Sequence, residues 1–383
     1  MRIGIDGRCL VGEQAGIGKY AHNLIKALVE LDKSNEYFLY FNVVRNREKE
    51  KLRQRCFISG ARMTNRILTV PHRFTRICDF VMDRLAIPWA LRRDKIDLFF
   101  SPTFCSVINL PSETRMVVTV HDVIYRLYPD FFPDYTKRRL KALGETLIRA
   151  NKIIADSEST KRDILKFFGV QANNIVVVYP GVSDSFHVVN DTKLIGSIRQ
   201  RYNLSEPFML FVGTLEPRKN LVGLIEAYSK LRKTMDLKHK LVIVGRKGWD
   251  YHPIFRRVEE LKLRQDILFL GYLPEEDLPF LYNCADLSVY PSIYEGFGLP
   301  PLEAMACGCP VVTSNTSSLP EVVGEAAVLV NPQDIDDIAW GIRQVLEDLE
   351  RKRDLIRKGL RRSRLFSWSK AARETLAIFE NIY

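Results

Sequence analysis

Residues Ser288 to Thr313 read SVYPSIYEGFGLPPLEAMACGCPVVT, and this stretch decides how the rest of the chain is interpreted. A short apolar strand, Leu287 to Tyr290, runs into a loop at Pro291-Ser292. Gly296 and Gly298 mark a turn, and a helix is expected from Pro300-Pro301, because proline at the first helical position loses no needed N–H. Gly308 is the expected left-handed cap of that helix, and a buried strand follows at Pro310 to Thr313. Two carboxylates stand out: Glu295 before the turn, and Glu303, expected in the first helical turn. The backbone N–H groups of Phe297, Gly298 and Leu299 lie between them, beside a helix N-terminus. Such an end carries positive partial charge and unpaired donors, which suits a phosphate or a sugar hydroxyl. Glycine at 296 and 298 lets a ligand approach the main chain.

Upstream, the apolar strand Phe208 to Val212 leads into Gly213-Thr-Leu-Glu-Pro-Arg218-Lys219-Asn220, and a helix is expected over Leu221 to Lys233. Two cations at the end of a strand and beside a helix N-terminus make an anion site. Arginine offers a planar fork to phosphate oxygens and lysine a point charge. Strands at Lys240 to Val244 and Ile267 to Leu270 end at Gly245-Arg246 and Gly271-Tyr272. Further expectations are a short helix from Leu278 to Asn283, a strand from Ala326 to Val330, and helices from Ile335 to Glu350 and Ser369 to Tyr383.

The first half shows the same alternation. A strand at residues 3 to 5 precedes a loop with Gly12, Gly16 and Gly18, and a helix is expected from Lys19 to Leu31. The glycine spacing is not the GxGxxG of dinucleotide enzymes. Strands follow at Tyr37 to Val43, Asp97 to Ser101 and Met116 to Val120, the last ending in His121-Asp122. Ligands of open parallel sheets gather beyond the carboxyl ends of the strands, which places His121 where chemistry is expected. Another strand, Ile153 to Asp156, leads to Ser157 as the cap of a helix, Thr160 to Phe168, and Ile175 to Tyr179 is the last strand of this half. The polar segment from Ser183 to Glu206 is the expected connection. Strands alternating with helices in both halves predict an α/β protein with two parallel-sheet domains, 1–185 and 206–366, followed by a C-terminal segment, 367–383.

At 383 residues, with 46% hydrophobic and 27% charged, the chain is long enough for two globular domains. Seven cysteines and six histidines are scattered, without a CxxC pair; a zinc site is not expected and a reducing cytoplasm is. No apolar run reaches eighteen residues, and MRIGIDGRCL reads as a strand and not as a signal peptide. The formal charge of +11 is concentrated: residues 45 to 95 hold fourteen Lys/Arg against five Asp/Glu, and 351 to 364 hold eight against one. Such blocks face nucleic acid, an anionic bilayer or water. A nucleic-acid role lacks a reading module and basic strands interleaved with aromatics, so no nucleic-acid partner is expected. Phe74 to Leu91 mixes apolar residues at helical spacing with arginines, which suits packing into the core or lying on a membrane surface.

Glu295-Gly-Phe-Gly-Leu-Pro-Pro-Leu-Glu303 resembles the E-x7-E element of the retaining glycosyltransferases of family GT4, which have the GT-B fold. Gly16-Ile-Gly18-Lys-Tyr20 resembles the GIG-R-Y loop of the same family, with Lys19 in place of arginine, and Pro180-Gly181-Val182 is close to its PNGV turn. The resemblance implies two Rossmann-like domains facing a cleft, with the last segment crossing back to the first. It implies that Glu303 holds the donor ribose, and that Glu295 with the amides of Gly296, Phe297, Gly298 and Leu299 holds sugar and phosphate. Arg218, Lys219 and the glycines at 16 and 18 would meet the diphosphate, His121 the transferred sugar, and the strand ends at Gly245 and Tyr272 the nucleobase. Many members have arginine where this chain has Thr214, leaving more of the charge to Arg218 and Lys219. No DxD-type acidic cluster with a plausible setting appears, so activity without a divalent metal or other cofactor is expected. GTLEPRKN with YEGFGLPPLEAMACG is most similar to bacterial mannosyltransferases of surface polysaccharide assembly. This implies a hexosyltransferase using GDP-mannose on a lipid-linked or growing glycan, with UDP-glucose, UDP-galactose and UDP-N-acetylglucosamine open as donors. A cytoplasmic protein, peripheral on the inner face of an anionic membrane, fits that expectation. An epimerase or phosphorylase of the same fold is disfavoured by the E-x7-E spacing together with the PRK triplet.

Overall fold

The computed structural model describes residues 1–11, 16–43, 56–69, 81–103, 109–131 and 143–383. Gly12, Cys78, Cys105, the start of the Phe74 to Leu91 segment and much of the basic block that contains it lie outside the described residues. The chain forms two compact units, one of Met1–Gly181 with Ser367–Tyr383 and the other of Val182–Phe366.

In the first unit the strands are β1 (Arg2–Asp6), β2 (Glu36–Val43), β3 (Met63–Thr69), β4 (Leu98–Ser101), β5 (Arg115–Val120), β6 (Lys152–Ala155) and β7 (Ile175–Val177). They form a parallel sheet in the order β3-β2-β1-β4-β5-β6-β7. Crossover connections place helices on both faces, which explains why β4 and nearly all of β5 are buried along their length. The helix Gly16–Leu31 turns Tyr20, Ala21, Leu24, Ile25, Leu28 and Val29 inward. Beside it packs the helix Trp368–Ile382, whose Phe379 ring lies 5.3 Å from that of Phe100. A side chain on Gly181 would meet the Trp368 backbone nitrogen at 2.2 Å, so the returning chain requires glycine there.

The second unit contains β8 (Phe208–Val212), β9 (Lys240–Val244), β10 (Ile267–Gly271), β11 (Leu287–Tyr290), β12 (Val311–Ser314) and β13 (Val328–Val330). Its parallel order is β10-β9-β8-β11-β12-β13. The order reverses between β8 and β11, the topological switch point at which open sheets bind ligands.

Several expectations need correction. β3 was not foreseen: MTNRILT is half polar and lies at the sheet edge, where burial imposes no clean alternation. The helix expected over Ile335 to Glu350 is two helices, Ile335–Leu346 and Leu349–Ser363, because Asp348 caps the second by accepting from the Arg351 N–H at 2.9 Å. The basic run of 351 to 364 therefore lies on a helix, and part of it is structural: Arg362 donates to the carbonyls of Val322 and Glu321. Gly16 and Gly18 belong to the first turn of a helix and not to the preceding loop. Pro88 lies in the first turn of the helix Ile87–Arg93, which follows a π-helical turn at Met82–Ala86 and whose Ile87, Ala90 and Leu91 are buried. Among the described residues, no helix is long and apolar enough to cross a membrane.

Candidate active site

The switch point of the second unit brings together the two stretches that carry its charged motifs. Beyond β8 the chain makes a short turn at Pro217–Lys219 and passes through left-handed Asn220 into the helix Leu221–Thr234. Beyond β11 the loop from Pro291 to Gly298 folds back on that turn. The Ile293 N–H donates to the Arg218 carbonyl at 2.8 Å, and the Ser318 hydroxyl holds the carbonyls of Glu295 and Phe297. Gly298, with φ at +112°, makes the turn into the helix Leu299–Ala306, a conformation that favours glycine.

Glu295 is the centre of the resulting network. Its Oε1 accepts from Lys219 Nζ at 2.6 Å, from the Ser292 hydroxyl at 2.6 Å and from the Tyr290 hydroxyl at 2.9 Å. Its Oε2 accepts from Arg218 Nη1 at 2.7 Å. Arg218 pairs in addition with Glu216 through its Nε. Two cations and two carboxylates thus balance in a region where Glu216, Lys219 and Glu295 are all buried. Burial alone would raise the Glu295 carboxyl, but Arg218 and Lys219 outweigh it and hold the group at about 2. Burial, followed by Arg218, pushes the Lys219 ammonium below its ordinary value, against the pull of Glu295 and Glu216.

Glu303 lies on the helix that follows the turn. It is the fifth residue of its helix, past the first turn, and its Oε2 accepts from the buried Tyr282 hydroxyl at 3.2 Å. Phe297 is buried, with its ring 5.7 Å from that of Phe366. Leu299 opens the helix as its first residue. Gly245 and Tyr272 stand at the ends of neighbouring strands, Tyr272 exposed, and the Gly245 N–H donates to the Gly271 carbonyl at 2.8 Å. A side chain at Gly245 would lie 1.8 Å from the Gly213 carbonyl oxygen, so close strand packing accounts for that glycine.

In the first unit, His121 follows β5. Its Nδ1 lies 2.6 Å from Asp156 Oδ2, its Nε2 3.0 Å from the Pro102 carbonyl, and its own carbonyl accepts from the Thr160 hydroxyl at 3.1 Å. Tyr20, from the first turns of the helix that starts at Gly16, sets its ring edge-on to the imidazole at 4.7 Å. Asp156, Tyr290, Ser292, Glu216 and Tyr282 were not singled out from the sequence. The strand-end rule that selected His121 would also have selected Asp156, which follows β6 directly.

Residues 15–186 match the family described as Glycosyltransferase Family 4, and residues 197–362 match that described as Glycosyl transferases group 1. The O-antigen chain mannosyltransferase B of Escherichia coli is 36% identical over 294 residues, 76% of each chain. The chain belongs to glycosyltransferase family 4. The serotype-specific mannosyltransferase WbdA of Escherichia coli is 34% identical over 270 residues, which is 69% of this chain and 33% of WbdA. Sucrose-phosphate synthase from Thermosynechococcus elongatus superposes with a TM-score of 0.81 over 100% of this chain and 98% of that one, at 21% identity. That likeness establishes the GT-B fold, with its two Rossmann-like units, for this glycosyltransferase. The E-x7-E and PRK elements of the family 4 pattern both lie at the switch point of the second unit.

Proposed function

We propose that this glycosyltransferase moves mannose from GDP-mannose onto a hydroxyl of a lipid-linked or growing glycan, with retention of anomeric configuration. The observation that carries the reading is the buried Glu295–Arg218–Lys219 network at the switch point. Charge builds on the leaving diphosphate during transfer, and fixed cations and main-chain donors stabilise it without reorganising. The amides of Phe297, Gly298 and Leu299 stand at a helix N-terminus, where phosphate is favoured. Glu303 is assigned to the ribose hydroxyls and His121 to the transferred sugar. The mannosyltransferase names of the relatives support mannose as the donor sugar.

Cations in place of a metal make the reaction independent of divalent ions. Transfer in excess EDTA tests this; complete loss, restored by metal, overturns it. Exposed Leu85 and Trp89, with Arg93 stacked on the Trp89 ring, support attachment of the first unit to an anionic bilayer, where a lipid-linked acceptor would be met. Absence of cosedimentation with anionic vesicles at low salt overturns that part.

Donor identity is tested by thermal shift with GDP-mannose, UDP-glucose, UDP-galactose and UDP-N-acetylglucosamine, followed by NMR of the anomeric product. Stabilisation by mass action should select GDP-mannose. Selection of a UDP-sugar, or an inverted product, overturns the assignment.

A further inference from the structure

The imidazole of His121 has no nitrogen to spare. Nε2 faces the Pro102 carbonyl at 3.0 Å, and a carbonyl only accepts, so Nε2 carries hydrogen. Nδ1 faces Asp156 Oδ2 at 2.6 Å, a separation that requires one proton between the two atoms. Whichever of these atoms holds that proton, the lone pair of Nδ1 is engaged. Burial raises the Asp156 carboxyl above its ordinary value, against the pull of His121; an aspartate ordinarily releases its proton about 2.6 pH units before an imidazolium does, and that margin, with Nε2 already protonated, favours the proton on His121. Asp156 also immediately precedes Ser157, the N-cap of the eleven-residue helix Glu158–Phe168, whose positive end favours a carboxylate. We infer that Asp156 is a positioning residue that keeps both ring nitrogens of His121 protonated, so that His121 serves as a fixed cation and cannot accept the proton of the attacking hydroxyl.

The surroundings act on both members of the pair, and against the charge on Asp156 stand its burial and the lack, among the described residues, of a hydrogen-bond partner for Oδ1. Burial alone would lower the His121 value, but Asp156, through charge and hydrogen bond, then Asp122 and the Pro102 carbonyl, raise it above the ordinary one. Among the described residues, the titratable groups acting on this pair are Asp122 and Tyr20; Tyr20 is itself buried and held neutral. The ring is fixed from three sides, by Asp156, Pro102 and the edge of Tyr20, and the Thr160 hydroxyl fixes the main chain beneath it. The proton released in glycosyl transfer then has to leave on another group, such as the departing phosphate.

The role in transfer rests on the proposed function, but the protonation state does not. The test is a ¹⁵N NMR titration of the imidazoles in the intact protein without substrate, with His121 assigned by its loss in His121→Gln. Expected are two protonated ring nitrogens at pH 7 and a midpoint above those of the other histidines. A neutral His121 at pH 7 overturns the inference and requires no variant. In Asp156→Asn, which keeps the shape and removes the charge, the His121 midpoint should fall by more than one pH unit. The alkaline limb of kcat should move down with it. An equal midpoint in both proteins, or an unmoved limb beside a lowered Tm alone, reduces Asp156 to a structural role and overturns the inference. If the titration behaves as expected and no sugar donor is turned over, the proposed function fails and the dyad stands.

Discussion

Lys219 and Glu295, 76 positions apart in the chain, form a buried ion pair at 2.6 Å. Strand order makes the pair: β8 and β11 are neighbours in the sheet, so the loops that leave their carboxyl ends converge. Removing one member of such a pair strands the other charge away from water, which costs roughly 3–5 kcal/mol. Lys219→Ala should therefore lower the thermal midpoint as well as transfer, the latter by roughly 10²- to 10³-fold if the ammonium faces the leaving diphosphate. Differential scanning fluorimetry and initial rates check both. Unchanged turnover removes Lys219 from the phosphate site.

The pH dependence of stability follows from Glu295. Its carboxyl is held at about 2 in the folded chain, against an ordinary value of 4.5. Because the folded value is the lower one, the stabilisation is complete above pH 4.5 and is lost as pH falls through about 2. At about 1.4 kcal/mol per unit this is on the order of 3 kcal/mol. Urea unfolding at pH 6, 4 and 3 should show a steeper acid decline for the native protein than for Glu295→Gln. Parallel declines would refute the ion-pair account.

Glu303 is expected to act on donor affinity more than on turnover. A hydrogen bond to a charged group contributes about 1.5–3 kcal/mol, so Glu303→Gln should raise the donor KM by roughly ten- to a hundredfold while kcat changes less. Tyr282→Phe removes the 3.2 Å bond that orients Oε2 and should give a smaller rise in the same direction. Steady-state kinetics with varied donor decide this; a fall in kcat with unaltered KM contradicts the ribose assignment.

Gly245→Ala tests the packing of the strand ends. Its φ is +153°, and the added carbon would meet the Gly213 carbonyl oxygen at 1.8 Å, where only backbone can give way. Strain of this kind costs roughly 1–3 kcal/mol, with overpacking in addition. A fall of several degrees in Tm is expected, at roughly 2–4 °C per kcal/mol for a unit of this size. Native stability in the variant would mean that the close approach is not maintained in solution.

Much of the architecture was legible along the chain because it is local. Apolar runs such as FMLFV and KLVIV announce strands buried on both faces, and they were located to the residue. Ser157 announced its cap, and its side chain accepts from the Thr160 N–H. β3 and the break at Asp348 escaped, the first because an edge strand is only half buried, the second because helical spacing continues across a short interruption.

The residue types of the candidate site, two spaced glutamates and an arginine–lysine pair, are properties of the sequence, as is the family pattern to which they conform. Only the tertiary structure decided which of them share protons and charge. It gave Glu295 to Lys219, Arg218, Tyr290 and Ser292, brought the Tyr282 hydroxyl to Glu303, and set Asp156 against His121. The reason is physical: helix and strand preferences act over a few residues, whereas ion pairing and burial depend on which strand ends the sheet order makes neighbours.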